Sequence, residues 1–323
     1  MLRFALRRAA SALLTLLGVL ALVFGLVTAA PGDAAALAAR AGGNRAVAIS
    51  PEALAAFRHL YGLDRPLTER FLTWVWRAAR LDFGRSLLDG QPVALRVARA
   101  LPATLALNTA ALLLATLIGV PLGVMAARRP GGRLDRISGF VCDALFSTPT
   151  FVLGLVFLLV FSGWLRVTPL FADTETGLRG FLLPVATLAL ASLALIARFV
   201  RVCVAAALAD PAALAGRARG ERPSEEIRRA LRRSSSAFAA MGAVLVPSVV
   251  SGSILVERVF SLPGAGSLLA EAVFARDLPT VLALTWCSAV VVVAASLVAD
   301  LVAAALDPRT ARENEVTVPG VAA

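Results

Sequence analysis

The chain has 323 residues, of which 59% are hydrophobic and only 16% are charged. This composition is too apolar for a soluble domain and is typical of a protein with several membrane-spanning helices. All 32 basic residues are arginine, and a chain without lysine has neither a standard phosphate-binding P-loop nor a Schiff-base site. The net charge is +11, and the arginines that produce it flank the apolar segments. This placement indicates topology signals and lipid-headgroup contacts instead of a nucleic-acid-binding face.

Six apolar segments are long enough to span a membrane, since roughly 20 apolar residues cross the hydrocarbon layer. They lie at 9–29, 101–126, 138–162, 181–207, 237–257 and 281–305. Six spans place four arginine-bearing segments on one side, which the positive-inside rule identifies as the cytoplasm. These segments are the N-terminus, 127–136, 209–235 and the C-terminal tail. We therefore predict an all-α polytopic membrane protein with six transmembrane helices and both termini in the cytoplasm.

The predicted organisation has four parts. They are an N-terminal tail with the first transmembrane helix at 1–30, an extracytoplasmic helical segment at 31–100, a five-helix core at 101–306 and a cytoplasmic tail at 307–323. In the extracytoplasmic segment, Ser50 and Pro51 are typical of a helix start and Gly62 of a helix end. A second, amphipathic helix follows, with Trp74 and Trp76 on it. The simplest interpretation is a small helical cap that packs on the bundle.

The sequence offers no set of residues for catalysis or for metal binding. Its single histidine, His59, lies in the outer segment, and its three cysteines lie in apolar segments without CxxC spacing. An intramembrane hydrolase needs a nucleophile beside a base, and no such pair is present. We therefore expect no cofactor bound by this chain and no metal site.

Acidic residues within apolar segments are costly and are often functional. Asp143 lies near the inner end of the third predicted span, where it either meets the inner interface or lines a polar path. Glu257 lies at the outer edge of the fifth span, where it either pairs with Arg258 or belongs to the path. The candidate residues for a translocation path or gate are Asp143, Ser147, Thr148, Pro149 and Glu257.

The segment at 209–235 is unusually charged for a membrane turn, with seven arginines. Asp210 and Pro211 predict a helix start, and Gly220 predicts its end. Ser224, followed by two glutamates, predicts the start of a second helix. The first helix is rich in small residues and suits docking into a groove on another protein, whereas the alternative is a solvated positive-inside loop. The residues predicted for this coupling loop are Asp210, Ala213, Leu214, Arg217, Ala218, Arg219, Gly220 and Ile227.

Several segments together resemble the B-type inner-membrane permeases of bacterial ABC importers for dipeptides, oligopeptides and nickel. The segments are GLDRPLTERFLTWVWRAARLDFGRSLLDGQPV, LPATLALNTAALLLATLIGVPLGVMAA, STPTFVLGLVFLLVF, VERVFSLPGAG, ARDLPTV and ALDPR. They follow in the family's order over nearly the whole chain. The segment at 209–235 occupies the place of the family's EAA loop, with Arg219 at a lysine position. Pro211 stands where the family has an aromatic residue, and Glu221–Ser224 replace its Leu-Ser.

The resemblance implies a type I ABC importer permease fold in the bacterial inner membrane. The implied partners are a homologous second permease, two ATP-binding cassette subunits that carry ATP and Mg, and an extracytoplasmic substrate-binding protein. Within this frame the helix at 210–220 receives the ATP-driven motion, and this chain itself is not an enzyme. Peptide is the expected cargo, and the alternatives are nickel or another small solute. A self-sufficient secondary transporter and a membrane enzyme are further alternatives, although the spans offer few midplane charges and no nucleophile–base set.

Overall fold

The computed structural model describes residues 2–29, 59, 64–168, 177–251 and 253–306. The regular elements of these residues are helices, so the predicted all-α class is confirmed. They are α1 (Leu2–Ala29), α2 (Leu67–Ala78), α3 (Val93–Ala127), α4 (Arg133–Ser147), α5 (Thr150–Phe157), α6 (Leu178–Ala209), α7 (Pro211–Ala218), α8 (Pro223–Arg233), α9 (Ser235–Ser251), α10 (Ile254–Val259), α11 (Ala265–Phe274) and α12 (Leu278–Leu306), with a π-helical stretch at Leu158–Trp164 after α5. The start of the first outer helix, predicted at Ser50 and Pro51, and its end at Gly62 lie outside the described residues.

Three of the described helices, α3, α6 and α12, are long and apolar enough to cross a membrane by length and composition. The apolar part of α1, Ala10–Leu26, and the 17-residue α9 are shorter than a full span. A fourth span is available if α4 and the helical segment that follows it, through Trp164, count as one broken element. The structure therefore supports a protein with three or four apolar spans among its described residues.

The predicted span at 138–162 is wrong as a single helix, because the chain bends by 99° between α4 and α5. Thr148 ends α4 with an extended backbone (φ −90°, ψ 123°), and Pro149 precedes α5. A proline clashes sterically with a helical residue before it and has no N–H to donate, so the helix stops at Ser147. The bend therefore lies at the four residues STPT, 147–150.

The chain folds into two compact units. The larger unit comprises residues 1–8, 105–262 and 294–323, and the smaller one comprises residues 9–104 and 263–293. In the larger unit α6 is central, since α4, α5, α7, α8 and α10 all pack on it. Its core includes Leu107, Leu193, Ile196, Val200 and Phe260, each at most 8% exposed.

Helices α3 and α6 approach closely in the larger unit because α3 carries a Gly-x-x-x-Gly pair. A Cβ atom on Gly123 would lie 2.5 Å from the carbonyl oxygen of Ala197, and one on Gly119 would lie 3.1 Å from Ile196. Small residues at this spacing let two membrane helices come into backbone contact. The contact fixes the position of α6, from which the charged segment at 210–233 extends.

In the smaller unit, the core forms where α2, the start of α3, α11 and the start of α12 meet. Ala78, Val93 and Ala283 are fully buried, and the Phe83 ring meets the Trp286 ring edge-on at 5.4 Å. The predicted amphipathic helix that carries Trp74 and Trp76 is confirmed as α2, on which Trp76 is exposed. The two segments quoted as GRSLLDGQPV and ARDLPTV meet in this unit.

A buried carboxylate joins these two segments. Asp277 is fully buried and accepts hydrogen bonds from the Ser86 hydroxyl at 2.5 Å and the Thr280 hydroxyl at 2.6 Å. The backbone N–H of Leu87 donates to its other oxygen at 3.0 Å, and the Arg96 guanidinium lies 3.2 Å away. Buried charge is tolerated only when it is paired and hydrogen-bonded, and these five residues, the Asp277 cluster, meet that condition.

Candidate functional site

Helix α7 begins as the sequence predicts. Asp210 has an extended backbone (φ −62°, ψ 140°), and its carboxylate accepts from the Ala212 N–H at 2.8 Å. Pro211 occupies the first helical position, where a missing N–H costs nothing. The predicted N-cap is therefore confirmed.

The end of α7 is also confirmed, and it has the geometry of a Schellman motif. Gly220 has a positive φ of 81°, which a residue with a side chain adopts only with strain. The N–H of Glu221 donates to the Gly216 carbonyl at 3.1 Å, and the N–H of Gly220 donates to the Arg217 carbonyl at 2.9 Å. These two bonds satisfy carbonyls at the helix end that otherwise face water. The chain then reverses direction into α8.

The predicted start of α8 is wrong by two residues. The N-cap is Arg222 and the helix begins at Pro223, which places Ser224 within the first turn, where it is exposed. Proline at the first position fixes φ for a helix and so sets the start earlier than a serine cap would. The Glu225 carboxylate accepts from the Arg222 N–H at 3.3 Å, which satisfies a donor at the helix start.

Three ion pairs connect α7 and the chain at its two ends to α8. Arg217 donates to Glu226 at 2.5 Å, Arg233 donates to Asp210 at 2.8 Å, and Arg229 pairs with Glu221. We call this paired segment, residues 210–233, the charged hairpin. Partly exposed pairs such as Arg217–Glu226 contribute roughly 0.2–1 kcal/mol each, so their main effect is to fix the orientation of α7 relative to α8.

The sequence predicted the helices of the charged hairpin but not the pairs between them. A helix pattern identifies neighbours three or four residues apart, whereas these partners are 8 to 23 residues apart. The composition carried a signal, because the acidic residues before α8, Asp210 and Glu221, are followed by an arginine-rich α8 that supplies their partners. Arg229 and Arg233 therefore have protein partners in addition to any contact with lipid.

Gly216 makes room for one of these pairs. A Cβ atom at this buried glycine would collide with the Glu221 carboxylate and would lie 2.7 Å from the Arg229 guanidinium. Ala213, one turn earlier, is 2% exposed and faces the same side of α7. This face of α7 is thus committed to the protein interior.

The opposite face of α7 is free within the described part of the chain. Leu214 is 53% exposed, although it lies between charged segments. Exposed neighbours from the predicted set are Arg217, Ala218, Arg219 and Gly220, whereas Asp210 and Ile227 are half-buried. An exposed leucine in a ring of small and cationic residues is a surface suited to a protein partner.

The Asp210 carboxylate titrates below its ordinary range. The Arg233 guanidinium lowers the pKa of Asp210, and the N–H of Ala212 lowers it further by donating to the ionised form. The cap and the ion pair therefore both depend on the same negative charge.

The candidate path residues do not form one cluster. Asp143 is exposed and pairs with Arg198 of α6, whereas Thr148 donates from its hydroxyl to the Ala144 carbonyl at 2.8 Å. Ser147 and Pro149 are exposed at the bend between α4 and α5. Asp143 lines a cavity of about 460 Å³ in the larger unit, and the other candidates do not line it.

The same cavity contains a second acid–base pair that the sequence prediction missed. Arg201 donates to both oxygens of Asp135, at 2.9 and 2.8 Å, which is the bidentate geometry that favours arginine. Asp135 and Asp143 are two helical turns apart on α4, and Arg198 and Arg201 are one turn apart on α6. The two spacings differ, so the sequence carries no matched pattern for both pairs, and the packing of α4 on α6 brings the charges together.

Glu257 is fully buried in the larger unit, not exposed at an interface. Ser253 donates to its carboxylate at 2.6 Å, and the side-chain amide of Asn108 donates to the Ser253 hydroxyl at 2.8 Å. The Glu257 carbonyl accepts from the Leu262 N–H at 2.8 Å. The three polar side chains connect α3 to the start of α10. No group of three or more His, Cys, Asp or Glu suited to a metal occurs among the residues described.

Comparison with known proteins identifies the family. The model of the binding-protein-dependent transport system inner membrane component matches residues 119–312, and the model of the N-terminal part of the membrane component matches residues 1–108. The chain is 31% identical over 316 residues to the dipeptide transport system permease protein of Lactococcus lactis subsp. cremoris, covering 96% of this chain and 99% of the relative.

Two further relatives are similar to the same degree. The oligopeptide transport system permease protein of Bacillus subtilis is 31% identical over 316 residues, covering 95% of this chain and 98% of that protein. The glutathione transport system permease protein of Pectobacterium atrosepticum is 31% identical over 312 residues, covering 95% and 98%. The apolar helices, the charged hairpin and these matches lead to one conclusion: the chain belongs to the family of inner-membrane permease components of binding-protein-dependent ABC importers.

Proposed function

We propose that this permease carries short peptides into the cell and that α7 is the element through which an ATPase subunit moves it. The observation that carries the proposal is the construction of α7, which is capped at both ends and held to α8 by three ion pairs. A helix fixed in this way transmits a displacement as a rigid element. Its exposed face, around Leu214, is where a partner docks.

The proposed assembly has several chains. A homologous permease subunit completes the path with this one, two separate ATP-binding cassette subunits hold ATP and Mg, and an extracytoplasmic binding protein delivers the cargo. In this chain six transmembrane helices place both termini in the cytoplasm, and no cofactor binds to it. The family supports this arrangement, since its members are the membrane components of binding-protein-dependent systems.

Peptide is the proposed cargo because relatives of equal identity are named for dipeptide, oligopeptide and glutathione transport. All three cargoes share a short backbone of amide groups with charged ends. The proposed path or gate includes Asp143, Ser147, Thr148, Pro149 and Glu257, of which Pro149 marks the bend and Asp143 pairs with α6. If the pair forms in one state of the transporter and breaks in the other, it contributes to the free-energy difference that ATP binding shifts.

A substitution at Leu214 tests the coupling surface. In the purified transporter with its own ATPase subunits, Leu214→Asp should abolish co-purification of the ATPase and lower peptide uptake at least about tenfold, because a carboxylate replaces apolar contact area. Ser224→Asp is the matched control, since it places the same charge on an exposed residue of α8. Thermal unfolding should be the same for both variants. Normal ATPase binding and uptake by Leu214→Asp would exclude this surface as the coupling site.

A further inference from the structure

A second cavity lies in the smaller unit, away from the residues assigned to coupling or to the path. Its volume is about 700 Å³, which falls within the roughly 300–1,000 Å³ of small-molecule sites. Phe24, Phe83, Leu87, Leu278 and Leu282 give it an apolar lining. A small organic molecule therefore fits it by size and by surface.

The described lining of this cavity is strongly cationic. It includes four arginines, Arg65, Arg70, Arg77 and Arg85, but a single carboxylate, Asp82. The carboxylate already accepts from Arg77 at 2.8 Å. Arg65 donates to Glu69 at 3.1 Å, and Arg85 donates to the Gly90 carbonyl at 3.0 Å. Three of the four arginines thus have an acceptor nearby.

Arg70 differs from the other three. It is half-buried, and its guanidinium lies over the Phe24 ring at 5.7 Å, with no carboxylate paired to it among the described residues. Burial lowers the pKa of Arg70, because removal from water disfavours the charged form. The charge remains, since arginine is protonated throughout the physiological range, and an anion beside it would offset the lost hydration.

A second donor without an acceptor lies one helical turn away. The indole N–H of Trp74 is buried, and no acceptor among the described residues is within hydrogen-bonding distance. Arg70 and Trp74 are four residues apart on α2, so their side chains project from the same face of the helix. Buried donors are almost always satisfied in proteins, and one that lines a cavity beside an unpaired guanidinium indicates a missing acceptor.

We propose that this cavity binds the carboxylate of a short peptide, with Arg70 and the Trp74 indole as its donors and the apolar lining as the contact for a C-terminal side chain. The proposal rests on the proposed peptide cargo. The site lies in the smaller unit, whereas α7 and the candidate path residues lie in the larger one. It gives the permease its own preference for a free C-terminal carboxylate, separate from the selectivity of the binding protein.

Calorimetric titration of the assembled transporter tests the site. The probes are the dipeptide Ala-Phe and its C-terminal amide, and the transporter is held in nanodiscs of phosphatidylcholine. The amide should bind at least about tenfold more weakly, because it lacks the charge that Arg70 recognises. Arg70→Gln should weaken Ala-Phe binding by about tenfold and should bring the acid and the amide to similar affinity. Trp74→Phe, which keeps an aromatic ring but removes the N–H, should weaken binding by about three- to tenfold.

Arg80→Gln is the matched control. Arg80 lies two residues after the end of α2 and also stacks on an aromatic ring, that of Trp76 at 4.5 Å, but it does not line the cavity. This variant should bind Ala-Phe as the unaltered protein does. Equal effects of Arg70→Gln and Arg80→Gln, or equal binding of acid and amide, would overturn the proposal. The titrations are repeated in nanodiscs of phosphatidylglycerol to test for a lipid headgroup. The proposal would also be overturned if this lipid displaced Ala-Phe in an Arg70-dependent way while Arg70→Gln left the ratio of acid to amide affinity unchanged. The site would then bind a lipid headgroup.

The inference and the proposed function can fail separately. Normal Ala-Phe uptake without Arg70-dependent binding would overturn the cavity and leave peptide transport intact. Arg70-dependent binding without uptake of Ala-Phe by the complete transporter with its binding protein would overturn peptide transport and leave the carboxylate site intact. Uptake is therefore measured on the same preparations as the titrations.

Discussion

The charged hairpin and the Asp277 cluster both join two chain segments through carboxylates, but in different surroundings. In the charged hairpin the paired side chains are between 14% and 48% exposed, and the partners lie at most 23 residues apart. In the Asp277 cluster the carboxylate is fully buried, and Ser86 and Asp277 are 191 residues apart on the sequence. Water can solvate the charges in the first case, whereas protein donors take that role at the buried Asp277 carboxylate in the second.

The two groups of contacts therefore have different effects, one on the orientation of helices and the other on the free energy of unfolding. Exposed pairs are weak, so they orient two helices relative to each other but add little to the free energy of unfolding. Separating a buried carboxylate from its four donors costs much free energy, so the Asp277 cluster holds its two chain segments together. We infer that the pairs of the charged hairpin set the orientation of α7 on α8, whereas the Asp277 cluster contributes to the stability of the smaller unit. The predictions below test this contrast, from the largest expected effect to the smallest.

Asp277→Asn should have the largest effect on stability. It removes the buried charge that faces Arg96, whose side chain is 12% exposed, and it leaves hydroxyl donors facing an amide. Removing one partner of a buried pair costs about 3–5 kcal/mol. Thermal unfolding of the assembled transporter measures the loss. Asp89→Asn is the control, since Asp89 also lies near Arg96, at 3.6 Å, but is 36% exposed. Similar midpoints for the two variants would contradict the stabilising role of the cluster.

Gly216→Ala should have an intermediate effect. The added methyl group meets the Glu221–Arg229 pair, so the charged hairpin must open or shift, at a cost of about 1–3 kcal/mol. We expect slower peptide uptake per ATP hydrolysed, which reconstituted transporters measure directly. Gly242→Ala is the control, because no atom lies within 4 Å of the position of its added Cβ. Unchanged coupling in Gly216→Ala would show that the geometry of the charged hairpin does not transmit motion.

Gly220→Ala should have a smaller effect on coupling than Gly216→Ala. The backbone at Gly220 has φ 81°, so an alanine there costs about 1 kcal/mol and loosens the end of α7. Combined with Arg219→Ala, it should lower the stimulation of ATPase activity by substrate without unfolding the bundle. Unchanged stimulation and uptake in the double variant would remove the coupling role of this helix end.

The smallest effect concerns pH. The pKa of Asp210 is lower in the folded chain, so its stabilising contribution is complete above the unfolded value of about 3.9 and is lost as pH falls through the folded value. Hydrogen exchange of the α7 amides should therefore speed up below about pH 4 relative to Asp210→Asn measured at the same pH. Above about pH 5 the difference between the two proteins should not change with pH. A constant difference at all pH values would mean that the charge of Asp210 does not hold α7.

The sequence predicted the features that depend on near neighbours. The N-cap at Asp210, the turn at Gly220 and the amphipathic helix around Trp74 follow from residues within one or two turns. The same kind of evidence failed at Ser224, because two adjacent start signals competed and Pro223 prevailed. It also failed at Pro149, where an apolar segment of sufficient length conceals a 99° bend.

The sequence by itself determined the all-α class, the family and the two helices of the charged hairpin, because periodicity, caps and ordered motifs depend on adjacent residues. Only the tertiary structure decided which charges meet. Helix packing brings Asp135 to Arg201 and Ser86 to Asp277. It also leaves Arg70 and the Trp74 indole without an acceptor among the described residues. The physical reason is that burial sets the cost of a charge, and burial is a property of the packed chain, which no single segment possesses.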